Sequence, residues 1–200
     1  VSQKYHTVYY DTNDLNMFYS HHNGERDRFK VRCRKYLSSD ETFLEVKKKN
    51  NKNVTSKKRI VINDLAIDKS STVQSKFISK YSPYNISELT PAIISEFTRL
   101  TFVNEDIPER ITVDFNLSLE NKSVIEDNDT ELNISNLCIA EIKRNAGSKN
   151  MIFDKILKKN KIYQMGFSKY CMGLTFITQN IKSNNFKPRI QILKKNNIIY

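Results

Sequence analysis

The sequence predicts an α+β fold: a closed or nearly closed antiparallel β-barrel of about eight strands, forming a polar, basic tunnel and flanked by helices. Three observations carry this expectation. Strand-length segments alternate apolar with ionisable side chains. The pattern recurs in six of about eight or nine such segments, around Arg32, Glu45, Lys57 with Arg59, Arg99, Arg110 and Glu141. The polar faces hold arginine and glutamate together, while the opposite faces are apolar enough to pack against helices. Successive side chains of a strand point to opposite faces. A barrel with its charged faces turned inward satisfies all three observations, and closing the sheet removes its edges.

The clearest alternation lies in two segments. In Phe29–Tyr36, Lys30, Arg32, Arg34 and Tyr36 share one face and Phe29, Val31 and Cys33 the other. In Phe43–Lys49, Glu45, Lys47 and Lys49 share a face with Phe43, opposite Leu44 and Val46. The polar stretch Leu37–Thr42 between them reads as a hairpin connection. One such hairpin alone has a plainer reading, a charged face in water; recurrence along the chain changes it.

The other elements follow in order. Residues 4–12 read as a strand of aromatic and β-branched residues, ended by Asp11 and Thr12. Asn13–Ser20 reads as a short helix or turn with Asp14 as cap, and Asn23-Gly24 as a turn. After the polar turn Asn50–Thr55 comes a basic strand, Lys57–Ile62. Asp64–Tyr81 is predicted helical in its second half, from Val73, Phe77 and Ile78. Pro83 and Pro91 punctuate a linker around Ile86–Leu89. Ile93–Val103 and Arg110–Leu117 read as strands, Glu120–Asn133 as an exposed loop or hairpin, and Leu137–Lys143 as a strand. Residues 150–164 form an amphipathic helix. Cys171–Thr178 is a last strand or helix, and Arg189–Leu193 a short strand or helix in a basic tail.

Composition bounds the function. Two hundred residues suit one domain; residues 1–178 are expected to form it, with 179–200 a basic segment packed on it. The hydrophobic fraction of 38% and 21 Phe plus Tyr supply a core, but no run approaches the roughly 20 apolar residues of a membrane span. Three widely spaced cysteines fit a reducing compartment and small core residues rather than disulfides or a metal site. His21-His22 reads as loop. The net charge of +11 implies a polyanionic partner.

Cations converging in a partly desolvated space repel one another until a multiply charged anion sits among them. Arg and Lys bind phosphate oxygens through strong charge-assisted bonds, and interspersed carboxylates suit Mg²⁺ or Mn²⁺. This is the inventory of a phosphoryl-transfer site. With 4 Gly and no Gly-rich phosphate loop, side chains rather than backbone must do the binding.

The ordered pieces Tyr9-Tyr10-Asp11-Thr12, Val31–Tyr36, Phe43–Lys47, Lys57-Lys58-Arg59, Phe97-Thr98-Arg99, Arg110–Asp114, Ala140–Lys143 and Phe167–Tyr170 resemble the polyphosphate polymerase domain of the vacuolar transporter chaperone (VTC) family, a branch of the triphosphate tunnel metalloenzymes. The resemblance spans about residues 5–175. It implies an eight-stranded tunnel barrel that adds the terminal phosphate of ATP to inorganic polyphosphate with Mn²⁺ or Mg²⁺. It implies that Arg32 and Arg34 grip the triphosphate and that Lys47, Lys57, Arg99, Arg110 and Lys169 line the tunnel. Glu141 would ligate the metal and Ser168 touch phosphate. Lys30, Arg59, Lys143 and Glu45 join them on the inward faces by alternation. Glu45 is read as a metal ligand or as a salt-bridge partner orienting Lys47 or Arg34, and Asp114 as a partner orienting Arg110. Family members carry an earlier strand and helices ahead of the Tyr-Tyr-Asp-Thr motif, so the sequence reads as a fragment.

Two other readings stand beside the polymerase. A metal-dependent triphosphatase on the same fold differs only in its acceptor. A non-catalytic polyphosphate- or polyanion-binding module fits the charge but leaves Glu45 and Glu141 without a role, and no single-strand nucleic-acid platform is evident. The expected location is cytoplasmic, or the cytoplasmic face of a membrane reached through a partner or another segment.

Overall fold

The computed structural model describes residues 2–52, 54–103, 109–122, 130–144 and 152–199. Its centre is one antiparallel sheet: β1 (Ser2–Asp11), β2 (Arg28–Tyr36), β3 (Glu41–Lys49), β4 (Thr55–Ile62), β5 (Thr90–Val103), β6 (Glu109–Asn121), β7 (Glu131–Ile134) and β8 (Ile139–Arg144). The order is β4-β3-β2-β1-β5-β6-β7, with β8 paired to the first half of β6 and β7 to the second. Among the described residues β4 has a strand on one side only, so the sheet is a half-barrel where a closed or nearly closed barrel is expected. Among the described residues five α-helices accompany it: α1 (Asn16–His22), α2 (Thr72–Tyr81), α3 (Ile152–Lys159), α4 (Lys169–Ile177) and α5 (Lys187–Lys195).

Register fixes what shares a face, because directly paired residues of an antiparallel ladder point the same way. Tyr9 pairs with Arg32, Arg32 with Glu45 and Glu45 with Arg59. On the other flank Thr7 pairs with Ser95, Arg99 with Asp114, Thr112 with Glu141 and Arg110 with Lys143. One continuous face therefore carries every ionisable position singled out on the strands.

The two faces have separate cores. Behind β1–β4, Val8, Val31, Cys33, Leu44 and Val46 pack with Met17 of α1 and with Phe77 and Ile78 of α2. On the charged side, α4 covers the end formed by Ile93, Leu117 and Leu119, and Phe186 and Leu193 of the C-terminal segment join that core. The α4 segment is helical, not strand. Ser168 caps it, its hydroxyl accepting from the Cys171 N–H, and Gly173 permits the approach: a Cβ there would stand 2.5 Å from Ile93 Cδ1.

Asp11, not Asp14, organises the start of α1. Its carboxylate is fully buried and accepts from the N–H groups of Thr12, Met17 and Phe18 and from the Tyr170 hydroxyl. Thr12 adds a bond from the Asn16 N–H. Asp14 is exposed. One side chain thus ties β1, α1 and α4 together. Of the expected helix over 150–164, the observed part is Ile152–Lys159, and residues 150 and 151 lie outside the described residues. The expected loop at 120–133 resolves into the end of β6 and all but the last residue of β7, with 123–129 outside the described residues.

Removing Asp11 strands four buried donors, each worth about 1–3 kcal/mol when left unpaired. Asp11→Ala is expected to cost more than about 3 kcal/mol of unfolding free energy in urea titration; a loss below about 1 kcal/mol would contradict this role.

Candidate functional site

The site is built from two buried carboxylates, each holding two cations. Glu45, 1% exposed, accepts from Arg32 Nε at 2.7 Å, with Arg32 Nη2 2.6 Å from the same oxygen, and its other oxygen takes Lys57 Nζ at 2.8 Å. Burial works against its charge, but Arg32 and Lys57 outweigh it and hold the carboxyl at about 2. Asp114 takes Arg99 through both oxygens, Nε at 2.5 Å and Nη2 at 2.8 Å, and also pairs with Lys169 from the first turn of α4. Its pKa is likewise lowered: Arg99 and Lys169 overcome burial. A bidentate guanidinium–carboxylate pair fixes geometry as well as charge.

Between the clamps stands Arg34, buried, donating from Nε to Thr7 Oγ1 at 3.1 Å. Its guanidinium lies 5.0 Å from the Tyr5 ring centre and 5.6 Å from that of Phe97. Among the described residues no carboxylate is within ion-pairing distance. Burial, then the like charge of Arg32, push its pKa down to about 10. Lys169 sits 4.2 Å from the Phe97 ring centre and is lowered too, burial outweighing Asp114. Cation–π contact supports these charges where counter-charge is short.

Tyr9 is a site residue that sequence reasoning missed. The sequence places it on the first strand, within the Tyr-Tyr-Asp-Thr stretch, without a role. Its hydroxyl lies 3.4 Å from Arg32 Nη1. Burial opposes ionisation, yet Arg32, Arg34, Lys169 and Lys30 prevail and bring the phenol down to about 8. Thr112 is a second: it is buried opposite Glu141 in register, and its hydroxyl has no hydrogen-bond partner among the described residues. The alternation rule places both on the charged face, but nothing in their residue type flags them.

The remaining candidates lie further out on the same face. Lys30 donates to Ser168 Oγ at 2.7 Å. Arg59 is exposed, 4.3 Å from the Phe43 ring centre. Lys47, Arg110, Glu141 and Lys143 are exposed, with Lys143 Nζ 3.4 Å from Glu141. The sheet's curvature brings its two flanks within electrostatic reach. Desolvation, then Arg32 and Lys30, lower the pKa of Lys47, while Glu141, five strands away in the sheet order, raises it. Five strand spacings in a flat sheet would separate them by about 24 Å.

Two expected partnerships differ. Glu45 pairs with Arg32 and Lys57, not with Lys47 or Arg34, because Arg32 stands directly opposite it and Lys57 diagonally so. Asp114 pairs with Arg99, directly opposite, and not with Arg110, which lies four residues along the same strand. With both Glu45 oxygens engaged by cations, a metal there would have to displace Lys57 or Arg32. Glu141 is open to one. Among the described residues no group of three or more His, Cys, Asp or Glu side chains is placed to cage an ion. A single half-exposed carboxylate suits Mg²⁺ or Mn²⁺, which complete their shells with water and substrate phosphates.

The fold is similar to that of a putative adenylate cyclase from Bacillus halodurans, 12% identical, with a TM-score of 0.53 over 84% of this chain and 79% of that one. A putative adenylyl cyclase from Hippeastrum, described as having a dominant triphosphatase activity, is 11% identical with a TM-score of 0.48 over 90% and 85%. At these identities the first likeness shows the fold alone. No curated protein sequence matches. The family is settled by the sequence itself: the VTC domain family matches residues 1–178, and the chain belongs to it. No helix among the described residues is long and apolar enough to cross a membrane.

The depressed pKa of Glu45 sets a pH dependence. An acid whose folded value lies below its unfolded value of roughly 4.3 stabilises the fold above that pH and loses the contribution as pH falls through the folded value. Stability is expected to fall between about pH 4.5 and 2. Glu45→Gln should flatten that limb and lower stability at pH 7 by about 3–5 kcal/mol through the orphaned Arg32. A urea-midpoint profile against pH identical to the parent's would contradict it.

Proposed function

We propose that this domain is a metal-dependent phosphotransferase that moves the γ-phosphate of ATP onto a growing inorganic polyphosphate chain. One observation carries the reading: Arg32, Arg34, Arg99 and Lys169 converge from two strands and a helix on one concave face, with fewer carboxylates than cations. Membership of the VTC family supports it, and so does the sensitivity of Lys47 and Arg99 to Glu141 across the face.

Arg32 and Arg34 hold the triphosphate, Arg32 oriented by Glu45 and Arg34 by Thr7. Arg99 and Lys169, fixed by Asp114, hold the acceptor chain. Glu141 would hold a divalent ion, Mn²⁺ or Mg²⁺, which when bound would supply neutralisation of phosphoryl charge. An oxygen of the terminal chain phosphate forms the new bond to the γ-phosphorus as its bond to the bridging β-γ oxygen breaks, releasing ADP. The acceptor oxygen is already ionised near neutral pH, so no strong base is required. Alignment and charge stabilisation provide the rate.

Incubation with ATP and Mn²⁺, read on a gel for long phosphate chains, tests this. Chain synthesis with equal ADP release is expected, lost at least 100-fold in Glu141→Ala and in Arg32→Lys, which keeps a charge beside Glu45 but not the planar fork. Orthophosphate release without chains would replace the reading with a triphosphatase. Polyphosphate binding without turnover would replace it with a binding module. Parent-rate synthesis by either variant would remove that residue from its assigned role.

A further inference from the structure

Beyond the two clamps, the charged row on β2 continues. Arg34, Arg32, Lys30 and Arg28 are successive same-face positions, about 6.6 Å apart. Lys30 and Arg28 pair directly with Lys47 and Lys49 of β3. Past Lys30 this row opens into a cavity of about 240 Å³, closed on its far side by the 166–168 segment, by His21 of α1 and by Arg189 of α5. That wall includes the basic C-terminal segment, which lies outside the family match.

The cavity is more one-sided in charge than the clamps. It collects Arg28, Lys30, Lys47, Lys49 and Arg189 and no carboxylate. Among the described residues none of the five makes an ion pair. The Arg189 guanidinium is held over the Phe186 ring at 5.9 Å and donates to the Asn185 carbonyl. The field is felt by His21: burial, then Lys30, Arg28, Arg189 and Lys49, push its pKa down to about 3. His21 is therefore a neutral wall, its Nδ1 3.1 Å from Cys171 Sγ. Five cations about one small cavity repel one another, and a ligand with several ionised oxygens relieves that repulsion.

We infer that this cavity is a second phosphate subsite, completed by Arg189 of the C-terminal segment, which holds a distal stretch of a linear phosphate chain while the clamps hold its reacting end. The inference rests on the proposed chemistry for the identity of the chain, and on the cavity alone for the binding of condensed phosphate. A chain following the row from Arg34 to Arg28 leaves the clamps along β2 and exits between β3 and α5. The C-terminal segment then selects for chain length, because a short triphosphate held at the clamps does not reach Arg189.

The test uses the whole chain and inorganic tripolyphosphate, followed by amide chemical shifts. Saturable shifts are expected at Gly166 and Phe167, separate from those at Arg34. In an Arg28→Ala/Arg189→Ala variant the affinity read at Gly166 should weaken at least tenfold, with the Arg34 response unchanged. The same variant should bind long-chain polyphosphate at least tenfold more weakly than the parent. Silence at Gly166 and Phe167, or parent-like affinities in the double variant, overturns the subsite whatever Arg34 does. Silence at Arg34 with a response at Gly166 instead overturns the proposed function and leaves the subsite standing.

Discussion

An excess of positive charge held in a partly dry concavity is the constraint on which this structure depends. Burying a guanidinium without compensation is costly, and two buried carboxylates limit that cost. Glu45 neutralises Arg32 and Lys57, and Asp114 neutralises Arg99 and Lys169. Arg34, between them, is supported by the Tyr5 and Phe97 rings and the Thr7 hydroxyl. The fold concentrates positive charge at its centre, and a strongly anionic ligand of the proposed kind would offset it.

The scaffold explains how the requirement is tolerated. Register puts the charged residues on one face of the sheet and the aliphatic residues of β1–β4 on the other, where α1 and α2 cover them. On the charged face α4 closes one end with Tyr170, Met172 and Leu174, leaving its first turn to deliver Lys169 to Asp114. Asp11 links β1, α1 and α4 through a single buried carboxylate. The Tyr-Tyr-Asp-Thr stretch therefore serves both the scaffold and the charged face: Asp11 positions the helices while Tyr9 faces the arginines.

Much of this was legible in the sequence because β-strands have an exact period. Lys30, Arg32 and Arg34 fall on one face of β2 whatever the tertiary context, and Glu45 and Lys47 likewise on β3. Partners were less legible, because register decides them. Glu45 meets Arg32 across the ladder, and a turn one residue longer would have changed its partner. The nature of α4 was ambiguous for a different reason. Met172, Gly173 and Leu174 are buried in succession, so no apolar stripe marks a period. Asp11 was opaque because one of its partners is 159 residues away. Closure was expected from the cost of exposed edges, and the described strands instead form an open half-barrel.

The central claim is that the concave face is an anion site whose own charge opposes the empty fold. Thermal unfolding with and without inorganic tripolyphosphate, at matched ionic strength in chloride, tests it most directly. A ligand at a hundredfold its dissociation constant adds about 2.7 kcal/mol to a fold that binds it and not to the unfolded chain. The account predicts a rise in Tm with tripolyphosphate well beyond that with chloride, and a much smaller rise for Arg34→Met, which keeps the packing between Tyr5 and Phe97 but removes the charge. Equal shifts in tripolyphosphate and chloride, or an undiminished shift in Arg34→Met, would contradict it.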